Sequence, residues 1–143
     1  MSFQNPNNTE IQELLRQVKT IAVVGLSPKP NRPSHQVSEA MQGYGYRIIP
    51  VRPATEMVLG EKCYGSLFDI PKSIQIDLVD VFRASKHVEK IVDACIALNL
   101  PAIWLQDGVI NEAAAEKAHA AGITVVMNRC VYRDYHTLRV ASS

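Results

Sequence analysis

The sequence predicts an α/β fold: a doubly wound, five-stranded parallel sheet of order 3-2-1-4-5 with helices on both faces. Three observations carry that expectation. Short apolar runs rich in β-branched residues alternate with stretches of helical periodicity along the whole chain, the pattern of parallel strands joined by crossover helices. The first apolar run, Ile21-Ala22-Val23-Val24, turns at Gly25 and passes through a proline-spaced loop into a helical pattern at Pro33. That is the strand–turn–helix opening of a mononucleotide-binding βαβ unit. Right-handed crossovers then favour a doubly wound sheet.

The elements follow in order. Residues 1–8 are polar and read as a loose tail. Thr9 caps a helix over about 10–18 whose apolar face is Ile11, Leu14, Leu15 and Val18. The first strand is 20–25. The helix from Pro33 to Gln42 buries Val37, Ala40 and Met41, and Gly43 supplies a left-handed end. The second strand is 46–51; Pro50 inside it suggests that its ladder is ending. Residues 54–65 read as a short hairpin or a loop, and Leu67, Phe68 and Ile70 as a helical turn before Pro71. The third strand is 77–82. Ser85 caps a helix in which Val88, Ile91, Val92, Cys95 and Ile96 keep helical spacing. The fourth strand is 101–105, with Trp104 as core packing. Asn111 caps a helix with a small inner face, Ala114, Ala115, Ala118 and Ala121. The fifth strand is 123–127, and 129–139 is a final helical segment.

Composition narrows the class. With 143 residues the chain suits one domain with one core. Lysine plus arginine number 15 against 14 acidic residues, so neither nucleic acid nor an acidic membrane surface is indicated. Cys63, Cys95 and Cys130 form no C-x-x-C pair and no metal-type spacing; they read as free thiols of a reducing compartment. The N-terminal segment has no apolar core of a signal peptide, and no apolar run approaches a membrane span. A cytoplasmic protein is expected.

The chemistry is expected where the winding of the sheet reverses, beyond the carboxyl ends of the strands. With order 3-2-1-4-5 that point lies between the first and fourth strands. The segments ending there hold Ser27, Lys29, Arg32, Ser34, Arg52, Arg83 and Gln106 beside Gly25. A helix start offers unpaired N–H groups and a positive dipole end to an anion, and Lys29 and Arg32 add charge. The loop lacks the three glycines of the dinucleotide fingerprint; Pro28, Pro30 and Pro33 stiffen it instead. The second strand ends in Val51-Arg52-Pro53, without the carboxylate that binds the ribose diol of NAD. Arginine suits a ribose that carries a phosphate, which leaves NADP and coenzyme A open.

The strings GLSPKPNRPSHQV, YRIIPVRP, LGEKCYGSLFDIP, DLVDVFR, IWLQDGVINEAAAEKA and VVMNRC, in that order, resemble the small bacterial CoA-binding domain proteins of the YccU type, over roughly 14–138. The CoA-binding part of the succinyl-CoA synthetase alpha subunit is similar. The resemblance implies a stand-alone Rossmann-like domain whose ligand is coenzyme A or an acyl-CoA. It implies that the loop Gly25–Arg32 is the pyrophosphate turn, with Ser27, Lys29 and Arg32 in contact. Val51 and Pro53 would lie beside the adenosine, Phe82 and Arg83 would line the cleft, and Gln106 and Gly108 would face the pantetheine side. Many relatives carry Asn at the position of Arg52 and Asp at that of Asn128.

No catalytic or metal-binding set emerges. The phosphorylated histidine of the synthetase subunit lies in a second domain without a counterpart in this sequence. His35 reads as exposed or packed on the loop, and His87, His119 and His136 as surface residues. Asp77 and Asp80 point to opposite faces of one strand, and Asp80, inside an apolar run, reads as a hydrogen-bonded structural carboxylate. Cys130, following Arg129, is placed near the ligand end, where it reads either as a half-buried inert cysteine, the reading its type favours, or as a thiol whose thiolate the neighbouring cation favours. The expected role is a non-catalytic CoA-binding carrier, sensor or subunit. The alternatives are a small NADP- or CoA-thioester-dependent enzyme and a subunit with a vestigial site.

Overall fold

The structure is a computed structural model, and it describes residues 3–141. Five parallel strands form the sheet: β1 (Thr20–Val24), β2 (Arg47–Val51), β5 (Leu78–Val81), β6 (Ala102–Leu105) and β7 (Thr124–Met127). A two-stranded antiparallel hairpin, β3 (Met57–Val58) and β4 (Glu61–Lys62), turns at Leu59-Gly60 with positive φ at both residues. The open choice at 54–65 thus resolves to a hairpin. The helices are α1 (Asn8–Gln17), α2 (Pro33–Gly43), α3 (Val88–Ala97), α4 (Glu112–Ala120) and α5 (Val131–Thr137).

The doubly wound Rossmann-like class stands, but the strand order does not. The sheet runs β2-β1-β5-β6-β7, which is 2-1-3-4-5 in sequence order and not 3-2-1-4-5. The third sheet strand lies beside β1, and β2 is at the edge. Pro50 supplies the physical reason. Its carbonyl faces away from β1 and accepts from Tyr64 N at 3.0 Å, yet it has no N–H to donate on that side, so β2 is poorly suited to a full neighbour strand. The 52–64 segment covers that edge through this bond and through Arg52 N to Tyr64 O, 2.8 Å. At the opposite edge Asn5 closes β7: its side chain donates to Met127 O at 2.9 Å and accepts from Met127 N at 2.7 Å.

Side chains alternate across the sheet. On one face Ala22, Val24, Val79, Val81, Ile103, Leu105 and Val125 pack against α3 and α4. There Val88, Val92 and Cys95 meet the small face Ala114, Ala115 and Ala118; Ala121 is exposed. On the other face Ile21, Val23, Ile48, Leu78, Trp104 and Val126 meet Ile11 and Leu15 of α1, Met41 of α2 and Val131 of α5. Trp104 is fully buried and donates to Arg129 O at 2.7 Å.

Local capping departs from expectation in three places. Asn7, not Thr9, caps α1, in a reciprocal capping box with Glu10, and Phe3 packs on the core beside His119, so the expected loose tail is engaged from Phe3 onward; residues 1 and 2 lie outside the described residues. Gly43 is the last residue of α2, and the left-handed position falls on Gly45, φ +106. Ser85 caps no helix: it opens a short 3₁₀ turn, Ser85–His87, and its hydroxyl accepts from Ile110 N at 3.0 Å. Asn111 does cap α4, accepting from Ala114 N at 3.0 Å.

Candidate functional site

The winding reverses between β1 and β5, which leave the sheet side by side and carry the chain in opposite lateral directions. The expected reversal between the first and fourth strands is therefore corrected to the first and third. Gly25 ends β1 in the left-handed region, φ +89. A Cβ there would lie 2.3 Å from the Phe82 carbonyl oxygen, so only glycine lets the end of β5 approach this closely. The end of β1 is tied to that of β5 by Phe82 N to Val24 O and to that of β2 by Gly25 N to Val51 O, both 2.9 Å.

Beyond Gly25 the loop is held by its own polar groups. Ser34 Oγ, in the first turn of α2, accepts from Ser27 N at 3.0 Å, and Ser27 Oγ accepts from Lys29 N at 3.1 Å. His35 Nδ1 lies 2.9 Å from the Ser27 carbonyl; a carbonyl only accepts, so Nδ1 carries the proton. His35 is buried against the loop, not exposed. Arg32, at the N-cap of α2, makes no side-chain cap, and Pro33 fills the first turn. The positive end of α2 thus opens toward the loop without a side-chain acceptor of its own.

These parts surround one cleft of about 560 Å³. Gly25, Ser27, Lys29 and Arg32 line it from the loop, Ser34 from the start of α2, Arg52 from just past β2, Phe82 and Arg83 from just past β5, and Gln106 from just past β6. Three candidates lie elsewhere. The Val51 side chain is buried in the core against Val24 and Ile49; its contribution near the site is the carbonyl bonded to Gly25. Pro53 is exposed in the following turn and lines no part of the cleft. Gly108, φ +80, donates to Asn128 Oδ1 at 2.8 Å and shapes the β6–α4 loop outside the cleft. Asn128 itself has φ +60, which its short polar side chain tolerates.

The charge balance of the cleft is one-sided. Among the described residues Lys29, Arg32, Arg52 and Arg83 have no carboxylate at ion-pair distance. The one carboxylate on the lining, Asp107, is held by Arg133 in a bidentate pair at 2.8 Å for both bonds. Hydrogen bonding to that guanidinium keeps its carboxyl below the usual range. Arg129, expected to favour a thiolate at Cys130, is turned into a bidentate pair with the buried Asp134, at 2.6 and 3.1 Å. Cys130 does line the cleft and is half-buried. Under the cleft floor, Gln106 Nε2 donates to Asp80 Oδ1 at 2.5 Å, so Asp80 is the hydrogen-bonded buried carboxylate that its sequence context indicates. Val37 and Val109 supply apolar lining that no short motif marks; only the folded register brings them here.

A parallel sheet with unpaired cations and a helix N-terminus at its winding reversal defines an α/β domain of the Rossmann-like class with a cationic cleft. The chain belongs to the CoA binding domain family, whose model matches residues 19–136. It is 44% identical over 129 residues to the uncharacterized protein YneT of Bacillus subtilis, covering 90% of this chain and 94% of that one. A hypothetical protein from Pyrococcus horikoshii OT3 superposes with a TM-score of 0.88 at 37% identity, over 97% of this chain and 99% of the other. An ADP-forming acetate–CoA ligase of Archaeoglobus fulgidus is 29% identical over 83 residues, 58% of this chain but 12% of the ligase. No helix among the described residues is long and apolar enough to cross a membrane.

Proposed function

We propose that this chain is a stand-alone binder of coenzyme A or an acyl-CoA, a non-catalytic carrier, sensor or subunit acting in the cytoplasm. The observation that carries the reading is the gathering of Lys29, Arg32, Arg52 and Arg83, none of them ion-paired among the described residues, around the open N-terminus of α2. Four unspent cations in one cleft favour a polyanion, and coenzyme A offers a diphosphate and a ribose phosphate. Lys29, Arg32, Arg83 and the first turn of α2 would hold the diphosphate. The hydroxyls of Ser27 and Ser34, whose oxygens already accept within the loop, keep their protons to donate to it. Arg52, at the end of β2, would take the ribose phosphate.

Isothermal titration against coenzyme A, dephospho-CoA, NADP and NAD tests this. Coenzyme A is expected to bind tightest. Dephospho-CoA is expected to lose about 1.5–3 kcal/mol, the value of a charge-assisted hydrogen bond, and Arg52→Ala is expected to erase that difference. Equal affinities for the first two ligands would remove Arg52 from the site. Preference for NADP would favour the enzyme reading, and no binding to any of the four a vestigial site.

Cys130, on the same lining, adds a thiol chemistry. Its thiolate attacking CoA disulfide would form a Cys130–CoA mixed disulfide and expel one CoA thiolate, so electrons and atoms balance without a further oxidant. Intact mass spectrometry after CoA disulfide treatment is expected to show one reductant-sensitive adduct, absent in Cys130→Ser. An unmodified Cys130 would dismiss the exchange and leave the binding reading untouched.

A further inference from the structure

The cleft floor holds a group that a diphosphate does not need. Asp80 is 2% exposed, between Val23 of β1 and Trp104 of β6 in register. A carboxylate so placed requires a donor, and Gln106 Nε2 supplies one at 2.5 Å. Gln106 is 4% exposed and lines the cleft. Its nitrogen end is thus drawn down to Asp80. No group among the described residues donates to its Oε1. Nor is Oε1 a buried orphan, a condition met only by Ser38 Oγ among the described residues, so the oxygen has open surface, and the open surface beside Gln106 is the cleft. An oxygen acceptor there is matched by an N–H and mismatched with phosphate oxygens, which also accept.

Resting on the coenzyme A reading above, we propose that Asp80 is a positioning residue: it turns the Gln106 carboxamide so that the cleft meets Oε1, which selects an N–H-bearing stretch of the ligand, such as the pantetheine amides, over the diphosphate. Ligand order in the cleft follows. The diphosphate lies toward Lys29, Arg32 and the start of α2, and the amide-bearing arm lies over β6.

Burial pushes the Asp80 carboxyl up to about 7, against the pull of its bond from Gln106. Above that value the carboxylate accepts from Nε2 and Oε1 faces the ligand. Below it the carboxyl donates an O–H, the favoured partner becomes Oε1, and the amide turns its NH₂ outward. The other titratable or charged groups on this side are His35 of α2, Asp134 of α5 with its partner Arg129, and Cys130, Lys29, Arg32, Arg52, Arg83 and the Asp107–Arg133 pair around the cleft. A comparison ligand with the same phosphates, and a variant that removes only the Asp80 titration, separate their effects from that of Asp80.

The test is titration calorimetry with coenzyme A and with adenosine 3′-phosphate 5′-diphosphate, which keeps the 3′-phosphate and the diphosphate but lacks the pantetheine arm, at pH 6 and pH 8. In the unmodified protein the ratio of the two affinities is expected to fall about five- to tenfold from pH 8 to pH 6, the worth of one hydrogen bond. Asp80→Asn, whose Oδ1 still accepts from Gln106, is expected to hold the high ratio at both pH values. Asp80→Leu is expected to give the low ratio at both. If Asp80→Leu does not fold, the first two measurements decide. A ratio that is flat with pH, or variants that weaken both ligands equally, would overturn the positioning role. Failure of the unmodified protein to bind coenzyme A would instead overturn the reading on which it rests.

Discussion

Gly25→Ala is expected to cost about 2–5 kcal/mol of folding stability, combining the strain of a non-glycine residue at positive φ with overpacking. The geometry leaves no cheaper outcome. The new methyl would sit 2.3 Å from the Phe82 carbonyl oxygen and 3.1 Å from its carbon. Those are backbone atoms of the neighbouring strand, fixed by Phe82 N to Val24 O, and no side-chain rotation relieves the contact. The chain must either move the end of β5 away from β1, opening the wall that carries Phe82 and Arg83, or give up part of its folding free energy of about 5–15 kcal/mol. Urea denaturation measures the first-order effect, and ligand titration at low denaturant measures the opened wall. Gly43→Ala is the internal control: a Cβ there meets nothing within 4 Å, and alanine at a helix position is favoured by up to about 1 kcal/mol. Stability of Gly25→Ala within about 0.5 kcal/mol of the unmodified protein would mean that the strand ends are not packed as described.

Arg32→Ala is expected to weaken coenzyme A binding by about 1.5–3 kcal/mol, roughly 10- to 150-fold, while the folded state keeps its stability. The asymmetry follows from what Arg32 does in the free protein. Its side chain is exposed, makes no cap hydrogen bond and meets no carboxylate among the described residues. Its structural contribution is the backbone carbonyl that accepts from His35 N at 3.1 Å and Gln36 N at 3.0 Å, which alanine retains. Lys29→Ala in the same background is expected to deepen the loss, and the loss is expected to shrink as added salt screens the exposed charges. Thermal denaturation and calorimetry on one preparation check both halves. Unchanged affinity would remove the loop from the ligand's diphosphate.

The strand and helix inventory was legible because it rests on local periodicity. The runs around Val23, Val79 and Ile103, and the helical spacing of Val88, Val92 and Cys95, reappear within a residue or two of their expected bounds. Strand order was not legible from periodicity, because both common doubly wound orders alternate strands and helices identically. Two single residues carried the missing information. Pro50 was taken to mark the end of a ladder, whereas it marks the edge of the sheet. Gly25 marks a turn in the sequence, and in the fold its missing Cβ also reports which strand end lies beside it, since a Cβ there would meet the Phe82 carbonyl. The cleft residues survived the change of order because the ends of β1, β5 and β6 adjoin one another in the observed sheet. Gly108 and Pro53 were misplaced because a loop's direction depends on contacts far along the chain, here Asn128 with Gly108, 20 residues apart. The pairing of Asp80 with Gln106 across 26 residues is of the same kind: each was noticed separately, and only the sheet register joins them.

The two rims of the sheet bear on how copies of this chain meet one another. Along one rim a proline and a returning segment occupy the backbone of β2; along the other a single asparagine amide, from Asn5, satisfies both the N–H and the carbonyl of Met127. An amide used this way mimics one residue of an adjoining strand. A second molecule pairing with β7 at Met127 would first have to dislodge the segment around Asn5. A proteolytic cut just after that asparagine would bare the rim while leaving the ligand cleft whole.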